Sequence, residues 1–136
     1  MLTLPVSVEV VSMDVTGEQT AYTRRGLIDT GADRSGMSVR MAERLGLYYD
    51  MQRAEEVGNL NGVVSVGTAW VWLQLVDDMT GERTRTMQIP IAIETFDPEI
   101  SWHPDVLIGM DVISAGTFTI RRKADGGTLF TFDLNL

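Results

Sequence analysis

The chain has 136 residues, 44% hydrophobic and 22% charged, in keeping with a globular domain large enough to bury a core without disulfides or a structural metal. It has no cysteine, which excludes disulfide frameworks, thiol nucleophiles and cysteine zinc sites, and its single histidine, His103, allows at most one histidine-based role. A formal net charge of −8 argues against nonspecific nucleic-acid binding, which depends on Lys and Arg neutralising phosphates.

No apolar run approaches the roughly 20 residues of a membrane span. The first residues carry no basic cluster, and Glu9 interrupts their apolar stretch, so they do not read as a signal peptide. The expectation is one cytoplasmic domain over residues 1–136, with no membrane partner.

Residues 6–15 are rich in valine and read as a strand. A turn over 16–19 returns the chain as a second strand over 20–28, which Asp29 ends. From 38 to 45 the period changes to that of a helix, with Ser38 as N-cap and Gly46 as the residue after its C-terminus. Asn61-Gly62 predicts a hairpin turn, because both residues accept positive φ. A long strand over 64–76 follows, with Val64, Val66, Thr68, Trp70, Trp72 and Gln74 on one face, and it returns over 83–93. Pro90 predicts an edge or a bulge there. Residues 96–104 read as a loop. Val106-Leu107-Ile108 is a short apolar strand stopped by Gly109, and residues 110–115 suggest a second short helix with Gly116 after it. Strands over 117–121 and 128–136, with a turn over 123–127, close the chain. Seven or eight closely spaced strands with one or two short helices predict an all-β barrel or sandwich.

Two stretches carry the chemical signal. In Leu27-Ile28-Asp29-Thr30-Gly31-Ala32-Asp33 an apolar pair runs into an acid, a hydroxyl and a turn-permitting glycine. About 80 residues on, Leu107-Ile108-Gly109 repeats the apolar pair before glycine and leads into Met110-Asp111-Val112-Ile113. Taken together, LIDTGADRSGMS, the helix ending LGL, the Gly-containing hairpin and VLIGMDVI make the chain resemble the retroviral-type (retropepsin-like) aspartic proteases in their cellular or bacterial forms.

That resemblance implies a closed or partly open acid-protease barrel, active as a two-fold homodimer on an extended polypeptide, with no cofactor and no metal. It implies that Asp29, Thr30 and Gly31 of each subunit form the catalytic loop. The two Asp29 carboxylates would share one proton and activate a water between them. Thr30 would bond across the two-fold axis. Ala32 and Asp33, with Asn59, Leu60, Asn61 and Gly62 of the flap, would contact substrate, and Leu107, Ile108 and Gly109 would brace the loop from below. The terminal residues 2–11 and 129–136 have the composition for an interleaved dimer sheet. The viral enzymes commonly place an Arg after the second glycine, paired with the acid at the Asp33 position. Here Met110 stands there, which leaves the role of Asp33 open.

Competing readings stay open at this stage. One is a non-catalytic dimeric peptide-binding module on the same fold, and another is a monomeric β-sandwich in which Asp29 is a turn residue. Trp70 and Trp72 are expected in the core or an interface. Met37, Met41 and Met110 are expected as core filler, and Glu55-Glu56 and Asp77-Asp78 as solvated surface. Trp102 and His103 are assigned to a loop, with His103 not acting as a base.

Overall fold

The computed structural model describes residues 2–3, 6–13, 19–47, 55–59, 62–94 and 105–133. Ten strands and two short helices occur in the order β1 (Leu2–Thr3), β2 (Val6–Met13), β3 (Gln19–Ile28), β4 (Gly36–Ser38), α1 (Val39–Arg44), β5 (Glu55–Asn59), β6 (Gly62–Asp77), β7 (Met87–Glu94), β8 (Val106–Ile108), α2 (Met110–Ile113), β9 (Thr117–Arg122) and β10 (Thr128–Asp133). Six of the strands pair as β2-β3-β8-β4-β7-β6, and β6 returns to β2, which closes a barrel. The expected all-β barrel with two short helices is what the chain forms. Among the described residues no helix is long and apolar enough to cross a membrane.

The barrel interior is set by alternation. Val8 and Val10, then Ala69, Val71, Leu73 and Leu75, then Ile91 and Ile93 point inward and are essentially solvent-free. Burying each of the larger aliphatic side chains contributes about 1.5–3 kcal/mol. β3 and β8 run parallel, as do β4 and β7, while the remaining pairs are antiparallel. Gly26 on β3 lies close against the neighbouring strand β2: a β-carbon there would stand 2.5 Å from Val8 Cγ2.

Helix α1 packs Met41, Ala42 and Leu45 into the core. Ser38 caps it by accepting from Met41 N at 3.1 Å. Its C-terminus is a Schellman turn, with Gly46 at φ +65° and Leu47 N donating to Ala42 O at 3.0 Å. Ser12, buried on β2, donates to the otherwise orphaned Leu45 carbonyl. Met37 and Met41 are core residues as expected, and Met110 is partly buried against the same cluster.

Several expectations need correction. The tryptophans are not in the core: Trp70 is 64% exposed and Trp72 only half-buried, because the inward parity of β6 is that of Val71 and Leu73; both share the outer face, which leaves the interface half of the expectation standing as an expectation. The return strand begins at Met87, not at 83. Thr84 turns inward, accepts from Leu75 N and donates to Arg85 O, which takes residues 84–86 out of the ladder and leaves a single bridge from Val76 to Arg83. Pro90 pairs with Trp70 on one side, and its other side lies short of the residues 92–94 that β4 pairs, so no ladder bond needs its missing N–H.

Asp77 is not solvated surface. It is 3% exposed and accepts from Met79 N and Thr80 N, which forms the turn after β6; Asp78 is exposed and faces Arg25. Residues 102 and 103 lie outside the described residues, as do the side chains of Glu55 and Glu56.

β9, β10 and β1 form a separate three-stranded sheet, with Leu2 opposite Phe132. Phe132 anchors this sheet to the core, and Phe118 packs edge-on against it at 5.6 Å between ring centres. β2 is bonded on both sides within the barrel, so only β1 and β10 of the expected terminal segments belong to a terminal sheet.

Candidate active site

Asp29 stands where β3 leaves the sheet. Its N–H still donates to Ile108 O at 2.9 Å, continuing the parallel pairing of Leu27 with Leu107 and Ile28 with Ile108 by one residue. The chain then turns: Ala32 N donates to Asp29 O at 3.2 Å, and Gly31 N donates to the Asp29 carboxylate at 2.9 Å. A β-carbon at Gly31 would lie 3.2 Å from that carboxylate oxygen, tighter than an ordinary contact. Asp29 is half-buried, and Thr30 and Gly31 are exposed at the tip. The result is a carboxylate held at one oxygen by a backbone donor.

The loop is braced from behind by β8 and α2. Met110 N donates to Ala32 O at 2.7 Å and Asp111 N to Asp33 O at 3.2 Å, so the loop's carbonyls satisfy amides that the first turn of α2 would leave unpaired. Gly109 makes this approach possible, because a β-carbon there would stand 2.6 Å from Arg34 O and 2.8 Å from Ala32 O. Those are backbone atoms with no room to yield, which is why an apolar pair is followed by glycine.

Ser35 and Asp111 complete the brace, and neither had been assigned a role from sequence. Ser35 is fully buried. The Asp111 carboxylate accepts from Ser35 Oγ at 2.7 Å, Ser35 N at 2.9 Å and Val112 N at 2.9 Å. Ser35 Oγ in turn accepts from Gly109 N at 3.1 Å, and Ser35 O accepts from Ala92 N at 3.1 Å. With Met110 in place of the expected Arg, the acid two positions after Gly109 ties the motifs together, and Asp33 engages through its carbonyl while its side chain is exposed. The signal was present: a hydroxyl six residues after Asp29 and an acid two after Gly109.

The far end of β8 is fixed similarly. Ser38 Oγ donates to Asp105 at 2.9 Å, Arg40 reaches the same oxygen at 3.0 Å and Arg24 stands 3.7 Å from the other. Burial pushes the Asp105 carboxyl up, but the Arg40 and Ser38 hydrogen bonds and the two arginine charges outweigh it and hold the group below its ordinary 3.8.

The structure thus brings Asp29, Thr30, Gly31, Ala32 and Asp33 onto one loop over Leu107, Ile108 and Gly109. It does not join the hairpin residues to that loop by any described hydrogen bond. Asn59 pairs with Gly62, so the connection is residues 60–61 and not the expected Asn61-Gly62 pair. Leu60 and Asn61 lie outside the described residues. Among the described residues no group of three or more acids or histidines is placed to hold a metal.

Residues 13–115 match the protein family described as gag-polyprotein putative aspartyl protease. The chain belongs to that family. No curated protein matches it. The family match takes in β3 with the Asp29 loop, the barrel strands β4, β6, β7 and β8 and the β8–α2 brace; of β2 it reaches only Met13, and it stops before β9 and β10. For this aspartyl-protease family member, proteolysis by an aspartate is the activity the family suggests.

Proposed function

We propose that the protein is a homodimeric aspartic endopeptidase whose site is completed only when the Asp29 loops of two copies meet. The observation that carries this reading is the Asp29 loop itself. One half-buried carboxylate is oriented by Gly31 N–H at a turn braced from behind by hydrogen bonds, on a chain of an aspartyl-protease family. One such loop orients a single carboxylate, that of Asp29, while general acid and general base work at one peptide bond requires two groups in opposite protonation states.

With two copies paired, like charges in close proximity cannot both ionise, so the dyad holds one proton (aspartic proteases are the general example of this effect). The ionised Asp29 takes a proton from the water between the carboxylates, and that water attacks the scissile carbonyl. The protonated Asp29 donates toward the carbonyl oxygen and carries the developing charge. Return of a proton to the amide nitrogen releases the two peptides. The titration belongs to the pair. Thr30, exposed next to Asp29, bonds across the two-fold axis in this reading, and the β5–β6 hairpin covers an extended substrate and excludes water. Ala32 and Asp33 with Asn59, Leu60, Asn61 and Gly62 contact the substrate backbone.

The test is a peptide-library digest comparing wild type with Asp29→Asn, with and without a pepstatin-type inhibitor. Cleavage by the wild type that is abolished by either change is expected. Saturable peptide binding without products would instead favour the binding module, and Asp29→Asn cleaving as well as wild type would end the dyad reading.

A further inference from the structure

The outer face of the sheet beside Asp29 has a defined chemistry. Along β3 the side chains of Leu27 and Asp29 share the parity opposite to core-packed Ile28. Across the strands, Leu27 pairs with Leu107, Leu107 with Gly36, and Gly36 with Ala92. Their neighbours of the other parity, Val106, Met37 and Ile93, fill the core. Leu27 is left 38% exposed, with Leu107 half-buried beside it, so an apolar floor flanks the acid.

At the next strand the floor opens, because Gly36 has no side chain. The carboxyl of Glu94, two residues beyond Ala92 on β7, folds over that position: its atoms lie 3.1–3.3 Å from where a Gly36 β-carbon would be. Glu94 is half-buried, and no described cation or donor faces it. Burial pushes its carboxyl above the ordinary 4.5, as expected for a charge that is desolvated and uncompensated.

Resting on the proposed endopeptidase reading, we infer that Glu94 selects substrates carrying a Lys or Arg side chain, received over Gly36. Glu94 stands on β7, but its carboxyl reaches back over Gly36 of β4, the strand next to Leu107 on β8 and so roughly 5 Å across from it, and an extended peptide presents every second side chain to one face at about 6.8 Å spacing. The substrate is therefore a peptide with an apolar residue over Leu27 and Leu107 and a basic residue two positions along. The cation supplies the partner that Glu94 lacks among the described residues, and the net charge of −8 favours approach of basic segments.

The test uses full-length protein and matched peptides that differ only in Lys against Gln at that position. Two ratios are read: Lys to Gln in kcat/KM for wild type and Glu94→Gln, and Lys to Gln in anisotropy-measured affinity, with Asp29→Asn as host. The wild-type ratio is expected to favour Lys by roughly tenfold or more and to fall with added salt; Glu94→Gln brings it near unity, and Glu94→Lys inverts it toward Glu peptides. Asp29-dependent cleavage with no preference for Lys, or a preference unchanged in Glu94→Gln, overturns the inference and leaves the dyad standing. No cleavage, with a Glu94-dependent Lys preference in binding, overturns the dyad and keeps the selection. Each Lys to Gln ratio is taken within one protein preparation, so a poorly folded fraction of a variant lowers both terms alike and leaves the ratio to decide the point.

Discussion

At the scale of single residues, the brace depends on Asp111 acting only as an acceptor. Its two oxygens receive three donors from Ser35 and Val112. In Asp111→Asn one oxygen becomes an amide that faces a donor, so a stability loss of about 1–3 kcal/mol is expected in urea unfolding. Ser35→Ala, which leaves buried Gly109 N without its acceptor, should cost a similar amount. Glu94 has the opposite sign. Its folded pKa lies above the ordinary 4.5, so the native state binds the proton more tightly than the unfolded chain, and the penalty for burying its charge is fully present above the folded value. Glu94→Gln should therefore raise Tm at pH 7, and the gain should shrink as pH falls and vanish below about 4.5. The sequence displayed Asp29 and Gly109 clearly, since each sits in a short motif whose geometry is local. It did not display Ser35–Asp111 or Glu94–Gly36, because those pairs are created by strand register between segments far apart in the chain.

At the scale of elements, the loop is positioned by short pieces that are not stable alone. β8 is three residues long and α2 four, and both persist because Val106, Ile108, Val112 and Ile113 are buried and their backbone groups bond to the Asp29 loop. α1 has six residues and rests on its caps. Ser38→Ala removes the bond from Met41 N and the bond to Asp105 together, so a loss of about 1–2 kcal/mol is expected in thermal unfolding at neutral pH. The Asp105 part of that loss is present above its ordinary 3.8 and disappears as acid protonates the folded carboxyl, so the difference between Ser38→Ala and wild type should narrow in acid. Caps and hairpin partners were legible in the sequence, since Ser38, Gly46 and the β2–β3 pairing follow local rules. The start of β7 was not, because Thr84 leaves the ladder to bond β6. The outward face of Trp70 was not legible either: on β6 both parities are apolar, and only barrel closure decides which points in.

At the scale of the whole molecule, the barrel presents one Asp29 loop, and the account makes a second copy part of the site. Activity should then fall faster than linearly on dilution once the dimer dissociates, which steady-state rates at constant substrate would detect. The most direct measurement is subunit mixing at constant total concentration, with wild type and Asp29→Asn unfolded together and refolded in equal amounts. If each site needs Asp29 from both copies, about one quarter of the wild-type rate remains, since only dimers of two wild-type chains are active. A remaining rate of about one half, the value for sites that work independently, would contradict the shared dyad.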